Sequence, residues 1–147
     1  MDKVAYACAS RHAGTYCVTV SVDTVDFLKP VEVGELVSLK ASVNYVGNSS
    51  IVVGIRVEAE NVKTGNVVHT NTCYFTMVAK GDDDKPTQVP PLILEKGKDV
   101  RRFIESMARK KIRQKNNFEM NKAKSGFNLA EEIEKLKEER CVVQLQT

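Results

Sequence analysis

Four long runs rich in β-branched residues constrain this chain more than any other feature. Each alternates apolar with polar positions, and short turn-forming segments separate them. They read "TYCVTVSVDTVDF" (Thr15–Phe27), "ELVSLKASVNYV" (Glu35–Val46), "SIVVGIRVEAE" (Ser50–Glu60) and "VVHTNTCYFTMVA" (Val67–Ala79). Successive residues of a strand point to opposite faces, so alternation predicts strands with one face buried. In the second run Leu36, Ser38, Lys40, Ser42 and Asn44 share one face, and Val37, Leu39, Ala41, Val43 and Tyr45 share the other. The connectors "KPVEVG", "GNSS" and "KTGN" carry turn chemistry, and the two shortest imply hairpins between antiparallel neighbours. Runs of about 11 residues exceed the usual five or six, and apolar stretches on both faces need cover. The sheet is therefore expected to wrap around something.

The opening "MDKVAYACASRHAG" supplies it. Met1, Val4, Ala5, Cys8 and Ala9 recur at helical spacing and form one apolar face, and Gly14 suits a helix C-terminus. "KGDDDKPTQVPP" (Lys80–Pro91) breaks the strand pattern and ends the sheet. Beyond it, Val100, Phe103, Ile104, Met107 and Lys111 trace a helical stripe among Lys and Arg, predicting a basic amphipathic helix over Asp99–Lys115. "NKAKSGF" (Asn121–Phe127) reads as a hinge. Asn128 and Glu131 form a capping box that opens a second, short helix. The expected layout is α+β, with a sheet domain over 1–94 and a helical C-terminal extension over 95–147.

Composition excludes several classes. The chain is 42% hydrophobic and 28% charged, ordinary for a globular protein, and no apolar run nears the ~18 residues of a membrane span. The start lacks a basic, apolar leader, so a cytoplasmic protein is expected. Cys8, Cys17, Cys73 and Cys141 show no CxxC pairing and are expected to be free thiols, with no metal site. Without an aromatic platform or a recognition motif, no nucleic-acid partner is expected. The basic helix reads as a solvated face, as the wall of an anionic ligand's path or a subunit contact, or as a patch for an anionic surface.

Several side chains are candidates for chemistry. Asp2 reads either as a helix-start charge that favours the dipole or as a functional carboxylate. Asp23 interrupts an apolar strand, as a solvent-facing charge or as part of a site. Asn48, Ser49 and Ser50 offer consecutive turn amides, either an ordinary hairpin or an anion nest. Lys29, beside Pro30, and Lys80 are placed to reach a phosphate or to be solvated. His12 and His69 are the only histidines, Cys73 sits in a core pattern, and no Gly-x-Ser-x-Gly elbow is present.

Four segments occur in order with family-like spacing: "MDKVAYACASRHAG", "VTVSVDTVDFLKPVEVGELV", "YVGNSSIVVGIRVEAEN" and "HTNTCYFTMVA", closed by "DKPTQVP". Over Met1–Pro90 the chain resembles the hotdog-fold acyl-CoA hydrolases, in particular the cytosolic acyl-CoA thioester hydrolases. That resemblance implies a hotdog fold, a long antiparallel sheet wrapped around a central helix. It implies hydrolysis of fatty acyl-CoA to free acid and CoA, with Asp2 as the catalytic carboxylate, as general base or as nucleophile. It implies that the Asn48–Ser50 turn helps to hold CoA, which serves as part of the substrate and not as a cofactor. It implies dimers, commonly trimers of dimers, with sites at the dimer interface. Family members place a strand and a Gly-rich turn before the helix, and that turn supplies an N–H to the thioester carbonyl. The sequence as given starts after both, so the first strand is expected to be missing. A non-catalytic CoA or acyl-ligand binding subunit is the alternative expectation.

Overall fold

Four antiparallel strands form one sheet, with the first and second in chain order at its edges and the fourth and third between them. The computed structural model describes residues 1–136 and 139–144. Helix α1 (Asp2–Ala13) precedes β1 (Cys17–Val22), β2 (Leu36–Val46), β3 (Ser50–Asn61) and β4 (Asn66–Ala79). Helices α2 (Gly97–Ser125) and α3 (Leu129–Lys135) follow. The chain divides into two compact units, Met1–Met107 and Ala108–Thr147.

Strand parity builds the core of the first unit. Ile51, Val53, Ile55 and Val57 of β3 and Cys73, Phe75, Met77 and Ala79 of β4 share one face and are buried against α1. Each aliphatic side chain buried this way contributes roughly 1.5–3 kcal/mol. Helix α1 meets that face through Ala5 and Ala9, both fully buried, with Val4, Cys8 and Ala13 packed beside them. Small residues let the helix backbone approach the sheet. Gly14 ends the helix at φ 70°, its amide donating to Ser10 O. The opening helix is thus the element the sheet wraps, as the strand lengths required.

Three expectations need correction. The first run is a strand only to Val22, after a bulge between Thr19 and Ser21. Past it the chain stays beside β4 through isolated bonds, Asp23 N–H to Tyr74 O and Leu28 N–H to Thr70 O. A second bulge, between Val43 and Tyr45, moves Tyr45 off the face that alternation has it share with Val37, Leu39, Ala41 and Val43. Tyr45 stands opposite Val52, on the other face, and its ring lies 4.8 Å from that of Phe103 on α2. The Asn121–Phe127 hinge is also overturned. Helix α2 continues to Ser125, because Asn, Lys and Ala tolerate a helix and only Gly126 breaks it.

The second unit is helical. Ser125 Oγ donates to Lys122 O, Asn128 Nδ2 donates to Glu131 Oε1 at 2.9 Å ahead of α3, and Lys135 pairs with Glu132. No helix among the described residues is long and apolar enough to cross a membrane.

Candidate active site

Asp2 is the first residue of α1, where the first amides of a helix have no intrahelical acceptor and the dipole favours negative charge. The N–H groups of Val4 and Ala5 both reach Met1 O at 3.0 Å, so the first turn is formed and Asp2 is held at its tip. Met1 is anchored in turn, its Sδ lying 3.2 Å from Cys73 Sγ in the core.

The carboxylate meets β1. Thr19 Oγ1 donates to Asp2 Oδ1 at 2.7 Å, with Met77 Sδ 3.1 Å away as a weaker acceptor. Thr19 reaches Asp2 because its register fixes its direction: it pairs with Met77, which faces the core, two positions on from buried Cys17. The hydroxyl has one proton and a carboxylate oxygen is the stronger acceptor, so Thr19 orients Asp2. Asp2 Oδ2 has no partner among the described residues and is left to bind a proton donor.

Around this pair lies a solvent-open pocket of about 240 Å3, whose lining includes Asp2, Lys3, Tyr6, Tyr16, Thr19 and Met77. The rings of Tyr6 and Tyr16 sit 5.7 Å apart and make an apolar wall. A carboxylate aimed by a hydroxyl, a neighbouring ammonium and an aromatic wall suit attack on an activated acyl group. A carboxylate so placed is able to take a proton from a water molecule in the pocket. No cluster of metal-ligating side chains occurs among the described residues.

The other candidates lie elsewhere in the chain. The Gly47–Ser50 turn closes with Gly47 N–H to Ser50 O at 2.8 Å, and Asn48 O and Ser49 O accept from Val89 and Ala79. Asn48 is exposed, and Ser49 and Ser50 are half-buried. Next to Val89, Pro90 O takes His12 Nε2 at 3.0 Å, so this turn lies by the C-terminal end of α1. Exposed Lys29 follows Leu28, which is tied to Thr70 near the opposite end of β4. Asp23, whose amide bonds Tyr74 O, does not line the Asp2 pocket. Lys80 Nζ donates to Asp84 O, and His69 Nε2 contacts Thr72 Oγ1 at 2.9 Å. Burial pushes the thiols of Cys8, Cys17 and Cys73 above the usual range.

Sequence reasoning missed Thr19. The signal was present: a hydroxyl at a core-facing parity in "CVTVSV", two residues past a buried cysteine. Parity names the face, but only the packing of α1 shows what that hydroxyl touches.

Comparison with known proteins adds the family. A model of the thioesterase superfamily matches residues 1–66. Protein VdlD of Helicobacter pylori is 46% identical over 113 residues, 77% of this chain and 64% of that protein, so the chain spans under two thirds of that relative. An apo-hexameric acyl-CoA thioesterase superposes with a TM-score of 0.75 at 34% identity, covering 79% of this chain and 74% of that one. An acyl-CoA hydrolase from Staphylococcus aureus, solved with butyryl coenzyme A, coenzyme A and coenzyme A disulfide, gives a TM-score of 0.75 at 31% identity, covering 84% and 76%. It has also been solved with an aspartate and with a threonine replaced by alanine. Those two positions have the same separation, 17 residues, as Asp2 and Thr19.

Proposed function

The chain belongs to the hotdog-fold acyl-CoA hydrolases of the thioesterase superfamily, and from that premise we propose that it hydrolyses acyl-CoA thioesters, with Asp2 as the general base. The Thr19–Asp2 hydrogen bond of 2.7 Å carries this reading. It aims one carboxylate oxygen and leaves the other directed at solvent in an open pocket, where water is available to be deprotonated. Water attacks the thioester carbonyl, the tetrahedral intermediate collapses, and CoA leaves as a thiolate that takes up the proton Asp2 removed. A thiolate is a good leaving group, so the main demand is a positioned base together with stabilisation of the oxyanion.

The substrate class follows from the relatives' chemistry, an acyl chain joined to coenzyme A. The Asn48–Ser50 turn and Lys29 are proposed as contacts for the CoA moiety. Neither lines the Asp2 pocket of its own chain, which fits a site completed between subunits, as dimers and trimers of dimers. The test is release of CoA thiol from palmitoyl-CoA and shorter acyl-CoAs, followed with a thiol reagent. Turnover is expected. Tight CoA binding without any turnover would instead support a non-catalytic acyl-CoA binding subunit.

A further inference from the structure

The sheet face turned away from α1 carries a second concavity, built from two neighbouring rungs. Lys40, Arg56 and Thr72 align across β2, β3 and β4, as do Ser42, Gly54 and Tyr74 one rung on. These positions alternate with the core rungs, so they share the opposite face from Asp2's helix. The pocket has a volume of about 170 Å3, and Arg101, Arg102 and Glu105 of α2 form its wall.

Three features make it a built site. Gly54 is the floor: a Cβ there would lie 2.3 Å from Asn44 Nδ2 and 3.3 Å from the Tyr74 ring, so the depression exists because this residue has no side chain. Asn44 is the extra residue of the β2 bulge, and the bulge sets its side chain over Gly54. Asn44 is only 6% exposed, and Ser42 Oγ donates to its Oδ1 at 2.9 Å, which leaves its amide N–H groups for another acceptor. The charges are unbalanced. Lys40 and Arg56 share Glu58, Arg101 pairs with Glu105 at 3.7 Å, and Arg102, a half-buried residue, has no ion-pair partner among the described residues.

An uncompensated guanidinium and an amide donor, with the Thr72 hydroxyl beside them around a glycine floor, are the donor set for a tetrahedral oxyanion. We propose that this pocket binds a phosphate group, with Arg102 and Asn44 as its principal donors, on the sheet face opposite the Asp2 site. The volume admits one phosphate and the start of what it esterifies. Free orthophosphate and the phosphate end of a nucleotide offer the same chemistry.

Calorimetric titration at constant ionic strength tests this, with orthophosphate and adenosine 3′,5′-bisphosphate as probes. At least one probe is expected to bind. Arg102→Gln and Asn44→Asp are each expected to weaken it on the order of 10-fold or more, with far-UV circular dichroism unchanged. Asp2→Asn is expected to leave binding intact, which separates this site from the hydrolysis reading. Tighter binding of the bisphosphate identifies a nucleotide as the source, and equal binding identifies free phosphate. Absence of binding by both probes, or equal binding by wild type and both variants, overturns the proposal.

Discussion

At the scale of single residues, the account rests on a short polar chain that crosses from helix to strand. Thr19 holds Asp2 through one hydrogen bond to a charged group, worth about 1.5–3 kcal/mol. Thr19→Val keeps the shape and removes the donor. Acyl-CoA turnover is expected to fall roughly 10- to 100-fold, with Thr19→Ser retaining most of it. The thiols make a separate prediction. Burial raises the pKa of Cys8, Cys17 and Cys73, so each stays protonated in the fold at a pH where the unfolded chain ionises. Stability is therefore expected to fall as pH rises from the ordinary thiol value towards the raised ones, measured by urea melts across that range. Exposed Cys141 is expected to react with a thiol reagent in the native protein well before Cys17 and Cys73. Glu58 has the opposite sign. Hydrogen bonds from Lys40 and Arg56 hold its carboxyl below the usual glutamate value, so its contribution is present at neutral pH and lost as pH falls through that lowered value.

At the scale of elements, most of the fold was legible. The β-branched runs located β2, β3 and β4 to within a residue at each end, by alternation where one face is buried and by an unbroken apolar stretch in β3, where both faces are buried over Ile51–Ile55. Helix α1 was legible for the same reason at period 3.6, and Gly14 marked its end. The bulges were not legible. A bulge inserts one residue without changing composition, and Asn44 and Tyr45 look like any alternating pair until β3 fixes the register. The candidate site divided in the same way. Asp2 stood out at the start of an apolar helix, whereas its partner Thr19 depended on packing between elements distant in sequence. Gly54 tests the element scale directly. Gly54→Ala is expected to destabilise the protein by about 1–3 kcal/mol in denaturant unfolding, since the added methyl meets Asn44 and Tyr74. Asn44→Ala in the same chain is expected to recover part of that loss, because the nearest clash is with the Asn44 amide.

At the scale of the whole molecule, the two edges of the sheet are β1 and β2, and apolar side chains stand exposed along both, including Val20, Val22, Leu36 and Val37. Open edges with exposed apolar residues need cover. The proposed dimer and trimer of dimers would supply it, and sedimentation equilibrium is expected to give a mass several times that of one chain. Assembly was not legible in strand and helix periodicity, which report how a chain folds on itself and not what covers its edges. The central claim is narrower: Asp2 performs the chemistry. Its most direct test is the rate of CoA release from palmitoyl-CoA by Asp2→Asn, measured beside CoA binding by the same variant. The account predicts a rate lower by roughly 100- to 10,000-fold with CoA binding retained; turnover by Asp2→Asn equal to that of the unaltered chain would contradict it.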